Sequence, residues 1–85
     1  MPTILLIAGW RFFFYANEQN EPIHIHCRKG EADAKFWLDL DSFGIIEAHA
    51  YNTSPADMRT VRRIILEHFD YIVAEWNEFQ ERRHG

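Results

Sequence analysis

One cysteine, three prolines and four glycines are all that this 85-residue chain has of the residues that staple, break or loosen a fold. The lone Cys27 excludes an internal disulfide and any zinc site built from several thiolates, so a reducing cytoplasm is the expected setting. No apolar run approaches the roughly 20 residues needed to cross a bilayer as a helix. The opening "MPTILLIAGW" is too short for that and lacks the basic start of a signal peptide, so neither a membrane nor export is expected. Positive charge is scarce as well: the formal net charge is −4, so binding to nucleic acid or an anionic surface would need a local patch. Linkers, repeats and low-complexity tracts are missing. What remains is 47% hydrophobic and 15% aromatic with 26% charged, the composition of a folded globular chain. A single domain over residues 1–85 is expected, burying roughly 60–65% of its unfolded surface.

The apolar pattern divides the chain into a sheet part, residues 1–51, and a helical part, residues 54–83. "TILLI" and "WRFFFYAN" flank Ala8-Gly9 and read as a hairpin. In the second strand Trp10, Phe12 and Phe14 point one way and Phe13 and Tyr15 the other, so that strand is either central or turned toward a partner. After the polar turn "NEQNEP", alternation is clean: Ile23, Ile25 and Cys27 share one face, and His24, His26 and Arg28 the other. "EADAKFWLDL" alternates too, setting Ala32, Ala34, Phe36 and Leu38 against Asp33, Lys35, Trp37 and Asp39. A two-residue loop at Lys29-Gly30 matches polar with polar and apolar with apolar, placing His26 opposite Asp33 and His24 opposite Lys35. A loop two residues longer also keeps the faces but sets His26 against Lys35. The shorter loop is the preferred expectation. "FGIIEAHAYN" reads as a short fifth strand.

From Ser54 onward the pattern is helical. Ser54 is an N-cap, Pro55 suits the first helical position and Asp57 adds negative charge to the first turn. Met58, Val61, Ile65, Phe69, Ile72, Trp76 and Phe79 recur at intervals of three and four and form one apolar stripe. A helix of about 28 residues is about 42 Å long, while a seven-residue strand is only about 23 Å. The helix must therefore bend near His68-Phe69-Asp70, or its second half must pack on another subunit. The fold class is α+β: an antiparallel four- to five-stranded β-meander covered by a long C-terminal α-helix.

The stretch "MPTILLIAGWRFFFYANEQNEPIHIHCRKGEADAKFWLDL" resembles the opening of small bacterial and archaeal proteins catalogued as domain of unknown function 4160. That family has a Met-Pro-Thr start, an Asn-Glu turn, a Pro-Pro-His-φ-His strand and an Ala-Lys-Phe-Trp-like strand. The matching positions are Asn17, Glu18, Glu21, Pro22, His24, His26, Gly30, Ala34, Lys35, Phe36 and Trp37. The resemblance is close over about half the chain and looser through the helix. It departs at Ile23, where the family has a second proline, and in the longer connection "DLDSFGIIEAHAYN". It carries no catalytic assignment. It does imply a gene arrangement resembling toxin–antitoxin modules, hence a small partner protein and an RNA-directed toxin as one functional class.

The alternation gathers His24, His26, Asp33 and Lys35 on one face as candidate catalytic residues. An imidazole oriented by a carboxylate could take a proton while a cation steadies a phosphoryl charge, which is what RNA cleavage without a metal requires. The competing reading is that these residues are merely the solvent side of a half-buried sheet. Arg28, Trp37, Arg59, Arg62 and Arg63 are candidate binding residues, the three helical arginines being equally a solvated flank paired in part with Glu67. His24 and His26 could reach one metal ion, but two ligands do not make a site and the sequence does not fix Glu21 or His49 as a third. No metal and no cofactor are expected. The functional classes that follow are an RNA-cleaving toxin, with RNA as substrate, and a non-catalytic protein-binding or regulatory module. A partner protein or a homo-oligomer is expected through aromatic surface that the monomer does not cover.

Overall fold

The computed structural model describes residues 3–15 and 21–84. Five strands, β1 (Thr3–Ile7), β2 (Trp10–Phe13), β3 (His24–Lys29), β4 (Ala32–Asp39) and β5 (Gly44–Tyr51), form one antiparallel sheet in chain order. Two helices follow, α1 (Pro55–Glu67) and α2 (Phe69–His84). The α+β meander read from the pattern is the fold, with the fifth strand as long as the fourth.

The first hairpin turns at Ala8 and Gly9, both with positive φ (54° and 80°), as a two-residue turn between right-twisted strands requires. Lys29 reaches over this turn, its Nζ donating to the Ala8 carbonyl at 3.3 Å, and a Cβ at Gly9 would stand only 3.1 Å from the Lys29 stem. At the β3–β4 hairpin the preferred register is overturned. Lys29 pairs with Ala32, so Gly30 and Glu31 are the turn, and Gly30 takes the positive φ of 57° at its first position. Glycine suits that position, whereas a loop at Lys29-Gly30 would move it to the second. Every pair therefore shifts by two: His26 faces Lys35, Arg28 faces Asp33 and His24 faces Trp37. The register is the one the longer loop implied, but the loop itself has two residues, moved one place along the chain, and face parity alone could not choose between the registers.

One sheet face carries Phe12, Ile25, Cys27, Ala34, Phe36 and Leu38 and packs with Val61, Ile64, Ile65 and Ile72 of the helices into the core. The long helix is broken at His68, whose φ and ψ of −112° and 22° leave the helical range. His68 N–H nevertheless donates to the Ile64 carbonyl at 3.1 Å, and Ile72 N–H to the His68 carbonyl at 2.9 Å, so the break is a kink rather than a loop. Of the two sequence expectations, the bend is realised. Past the kink the stripe continues along Phe69, Ile72, Trp76 and Phe79, and Phe14 meets both Trp76 and Phe79 at 5.1 and 5.5 Å between ring centroids. The second half of the stripe is thus buried within the same chain. Phe13 is buried too, because β2 lies inside the sheet between β1 and β3. Both reasons given for self-association are removed by these contacts. Each edge strand also carries a one-residue bulge, at Ile4 in β1 and at Ala48 in β5, a feature that spoils edge-to-edge pairing.

At the start of α1, Asp57 N–H donates to Ser54 Oγ at 3.0 Å and Ser54 N–H to the Asp57 carboxylate at 3.1 Å. This reciprocal cap satisfies two backbone donors. Ser54→Ala is expected to cost about 1 kcal/mol, read as a lower urea midpoint with an unchanged slope. A loss below about 0.3 kcal/mol would show that the cap does not hold the helix start.

Candidate functional site

His24, His26, Asp33 and Lys35 lie on one sheet face, as the alternation requires, but that face is not open. His24 is 0% and His26 5% exposed. Phe13 is the β2 neighbour of His26 and stacks on it at 5.7 Å, while Tyr15 meets the same imidazole edge-on at 4.4 Å. His24 stands edge-on to His26 at 5.2 Å, to Trp37 at 5.4 Å and to Trp76 of α2 at 5.0 Å. The expectation of a solvent-facing polar surface is therefore corrected. The side chains that close it are those of the second strand's other face, Phe13 and Tyr15, which its two-sided aromatic pattern had placed there without saying what they meet.

Two features order the imidazoles. His24 Nδ1 lies 2.8 Å from the Pro22 carbonyl oxygen. A carbonyl only accepts, so Nδ1 carries the proton, and in a neutral ring the lone pair is at Nε2. Across from His26, Lys35 is buried as well. Its ammonium donates to Glu21 Oε1 at 2.7 Å and sits 4.4 Å from the centre of the Trp37 ring, a charge-assisted bond combined with a cation–π contact. Lys35 thus has its carboxylate partner in Glu21, a residue the sequence singled out as a family match and as a third metal ligand but not as this partner. Asp33 is drawn away from the histidines to Arg28, at 3.4 Å. Of the four candidate catalytic residues, His24, His26 and Lys35 form a buried group, while Asp33 stands apart from them, partly exposed and paired with Arg28. Asn17 and Glu18 lie outside the described residues.

The weaker candidates disperse. Arg62 pairs with Glu47 of β5 at 3.0 Å and lies over the Phe36 ring at 5.4 Å, Arg63 pairs with Glu67 at 3.5 Å, and Arg59 is exposed. They line the flank of α1 and do not meet the histidines. Among the described residues, no three His, Cys, Asp or Glu side chains stand where they could hold a metal ion, and no helix is long and apolar enough to cross a membrane.

Cys27 behaves as core. Burial, with the negative charge of Asp33 adding to it, pushes its thiol from 9.0 up to about 12, and Sγ donates weakly to the Ala34 carbonyl at 3.7 Å. At pH 8 the folded thiol is expected to alkylate roughly 1,000-fold more slowly than the unfolded one, from thiolate fraction alone. Iodoacetamide trapping with and without denaturant measures this, and equal rates would place Cys27 at the surface. Because the folded pKa is the higher one, this contribution to stability is whole below pH 9 and is lost as pH rises toward 12.

Among the described residues the surface carries clefts at two turns of the chain. One, of about 350 Å³, lies at the β3–β4 turn between Arg28, Asp33, Tyr51 and Asn52. The other, of about 310 Å³, lies at the helix kink between Phe43, Leu66, Phe69 and Tyr71, and Glu67, His68 and Asp70 line it as well. Phe43 enters it from the β4–β5 loop, which Asp39 braces by accepting from the Ser42 hydroxyl at 2.9 Å and from Asp41 N–H at 3.0 Å. Those bonds hold the Asp39 carboxyl below its ordinary range. The cleft is not visible in the sequence because residues 66–71, though consecutive, form its wall only through the kink, and Phe43 reaches it from a distant loop.

No curated protein and no solved structure matches the chain. A family model does, over residues 9–77, taking in β2 to β5, α1 and the first half of α2 and with them the paired histidines, Lys35 and Trp37. The chain belongs to the family described as domain of unknown function DUF4160.

Proposed function

We propose that the chain is a non-catalytic, protein-binding member of a cytoplasmic two-gene module of the toxin–antitoxin type, in which His24 and His26 build the interior of the sheet. The observation that carries this reading is the closure of both imidazoles by Phe13, Tyr15, Trp37 and Trp76. A general base must come within about 3 Å of the proton it takes, and a ribose hydroxyl has no such approach to rings enclosed on several sides. Asp33, the carboxylate that would have oriented His26, serves Arg28 instead. The module itself rests on the family resemblance and on no contact in this chain.

One observation favours a second reading, the RNA-cleaving toxin: the Pro22 carbonyl fixes the proton of His24 on Nδ1, which in a neutral ring puts the lone pair at Nε2, and a buried cation stands across from its neighbour. Expression of the chain alone and with its neighbouring gene, scored for growth and RNA integrity, separates the two. The variants are His24→Asn, which keeps a donor near Pro22, and His26→Phe, which keeps a ring beside Phe13. The binding-module reading expects wild type and the combined variant to leave growth and RNA alike, and the neighbour's product to co-purify with both. RNA cleavage by wild type that disappears in the folded variant would establish the toxin reading in its place.

A further inference from the structure

We propose that the cleft at the helix kink is the docking site for a basic amphipathic segment of a partner protein, an inference that rests on the protein-binding reading above. Phe43 is 66% exposed and is held at a φ of 57°, a left-handed conformation that a bulky side chain rarely adopts. Glycine would be the undemanding residue there, and Gly44 is the next position. The ring's contact within the chain is with the edge of Phe69, at 5.8 Å. Leu66 and Tyr71 line the same cleft and are 48% and 46% exposed, so three large apolar side chains from a loop and both helices converge on one opening. A convergent apolar patch with a polar rim is the mark of an interaction surface rather than of scattered surface residues.

The rim decides the occupant. Asp70 and Glu67, the latter also paired with Arg63 at 3.5 Å, line the cleft beside His68, no lysine or arginine lines it, and the chain as a whole is at −4. Lysines or arginines flanking an apolar anchor complement that charge and speed encounter. A second copy of this chain fits worse, since an isologous contact would crowd the carboxylates of both copies into one interface. The partner segment therefore places a leucine- or phenylalanine-like side chain beside Phe43, Leu66 and Tyr71 and its cations over Glu67 and Asp70.

The test uses the full chain and, as probe, a short fluorescein-labelled helical peptide of leucine and lysine, with a leucine–glutamate peptide as control. Anisotropy is expected to show binding of the lysine peptide alone, weakening with salt. Phe43→Gly removes the anchor and relieves the left-handed strain, so affinity should fall at least tenfold while the melting temperature holds or rises. Glu67→Gln with Asp70→Asn should weaken binding and flatten its salt dependence. Leu6→Ser, an exposed apolar change on β1, should alter neither. Equal binding by wild type and Phe43→Gly, or by the two peptides, would overturn the proposal. So would a dimer in light scattering that Phe43→Gly abolishes, because the occupant would then be a second copy. If the neighbouring gene's product co-purifies equally with wild type and Phe43→Gly, this site fails while the protein-binding reading stands. If that product binds neither, the reading itself fails.

Discussion

Trp76→Ala is expected to remove about 3–5 kcal/mol of folding stability, the largest loss of any single truncation considered for this chain. The residue stands one helical half past the kink, buried, with Phe14 edge-on at 5.1 Å and His24 at 5.0 Å. It is the point where α2 meets both the second strand and the histidine face. Truncation loses the transfer free energy of an indole and leaves a cavity between a helix and a sheet that cannot both close in. For a domain of this size, with total stability of roughly 4–13 kcal/mol, that is a large fraction. The melting temperature should fall by roughly 12–40 °C. A fall of less than about 5 °C would show that the second half of the stripe is not seated on the chain's own sheet, and would return the choice to packing on another subunit.

His24→Ala is expected to cost about 2–4 kcal/mol, because it combines a buried cavity with an orphaned carbonyl at Pro22. His24→Asn should recover part of that loss, since its amide can donate toward the same oxygen. Had the imidazole stood on an open polar face, the substitution would have changed stability by less than about 0.5 kcal/mol. Denaturant titration of both variants measures the difference. A loss of that smaller size for His24→Ala, with the asparagine variant no better, would contradict the enclosed geometry.

The sequence showed the elements more fully than their neighbours. Period-two alternation put His24, His26, Asp33 and Lys35 on one face, and the structure agrees, because that inference needs only the pleat. The register did not follow, since pairings shifted by two residues preserve every face match and only the backbone demand of Gly30 separates them. Periodicity alone reads a single helix, because it records which residues face the core and not the direction of the axis; the mismatch between helix and strand lengths is what made a bend near His68 one of two expectations, and the chain bends there. The misjudged burial of the histidines has a different origin. Alternation tells which residues share a face, whereas what covers that face comes from elsewhere in the chain, here Phe13 and Tyr15 on β2 and its continuation and Trp76 on α2. The partner of Lys35, Glu21, was likewise fourteen residues away and visible only once the strands were assembled.

Whether His24 and His26 are interior structure or working surface is the question on which the account turns, and site-resolved carbethoxylation of the native protein answers it most directly. Diethyl pyrocarbonate attacks accessible neutral imidazoles, and peptide mass spectrometry reads each histidine separately. His49 and His68, both only partly buried, serve as internal references. His49 and His68 are expected to be modified in the native state while His24 and His26 stay protected until denaturant unfolds the chain. Modification of His24 or His26 at the rate of His68 in the folded protein would contradict it and make that face a working surface.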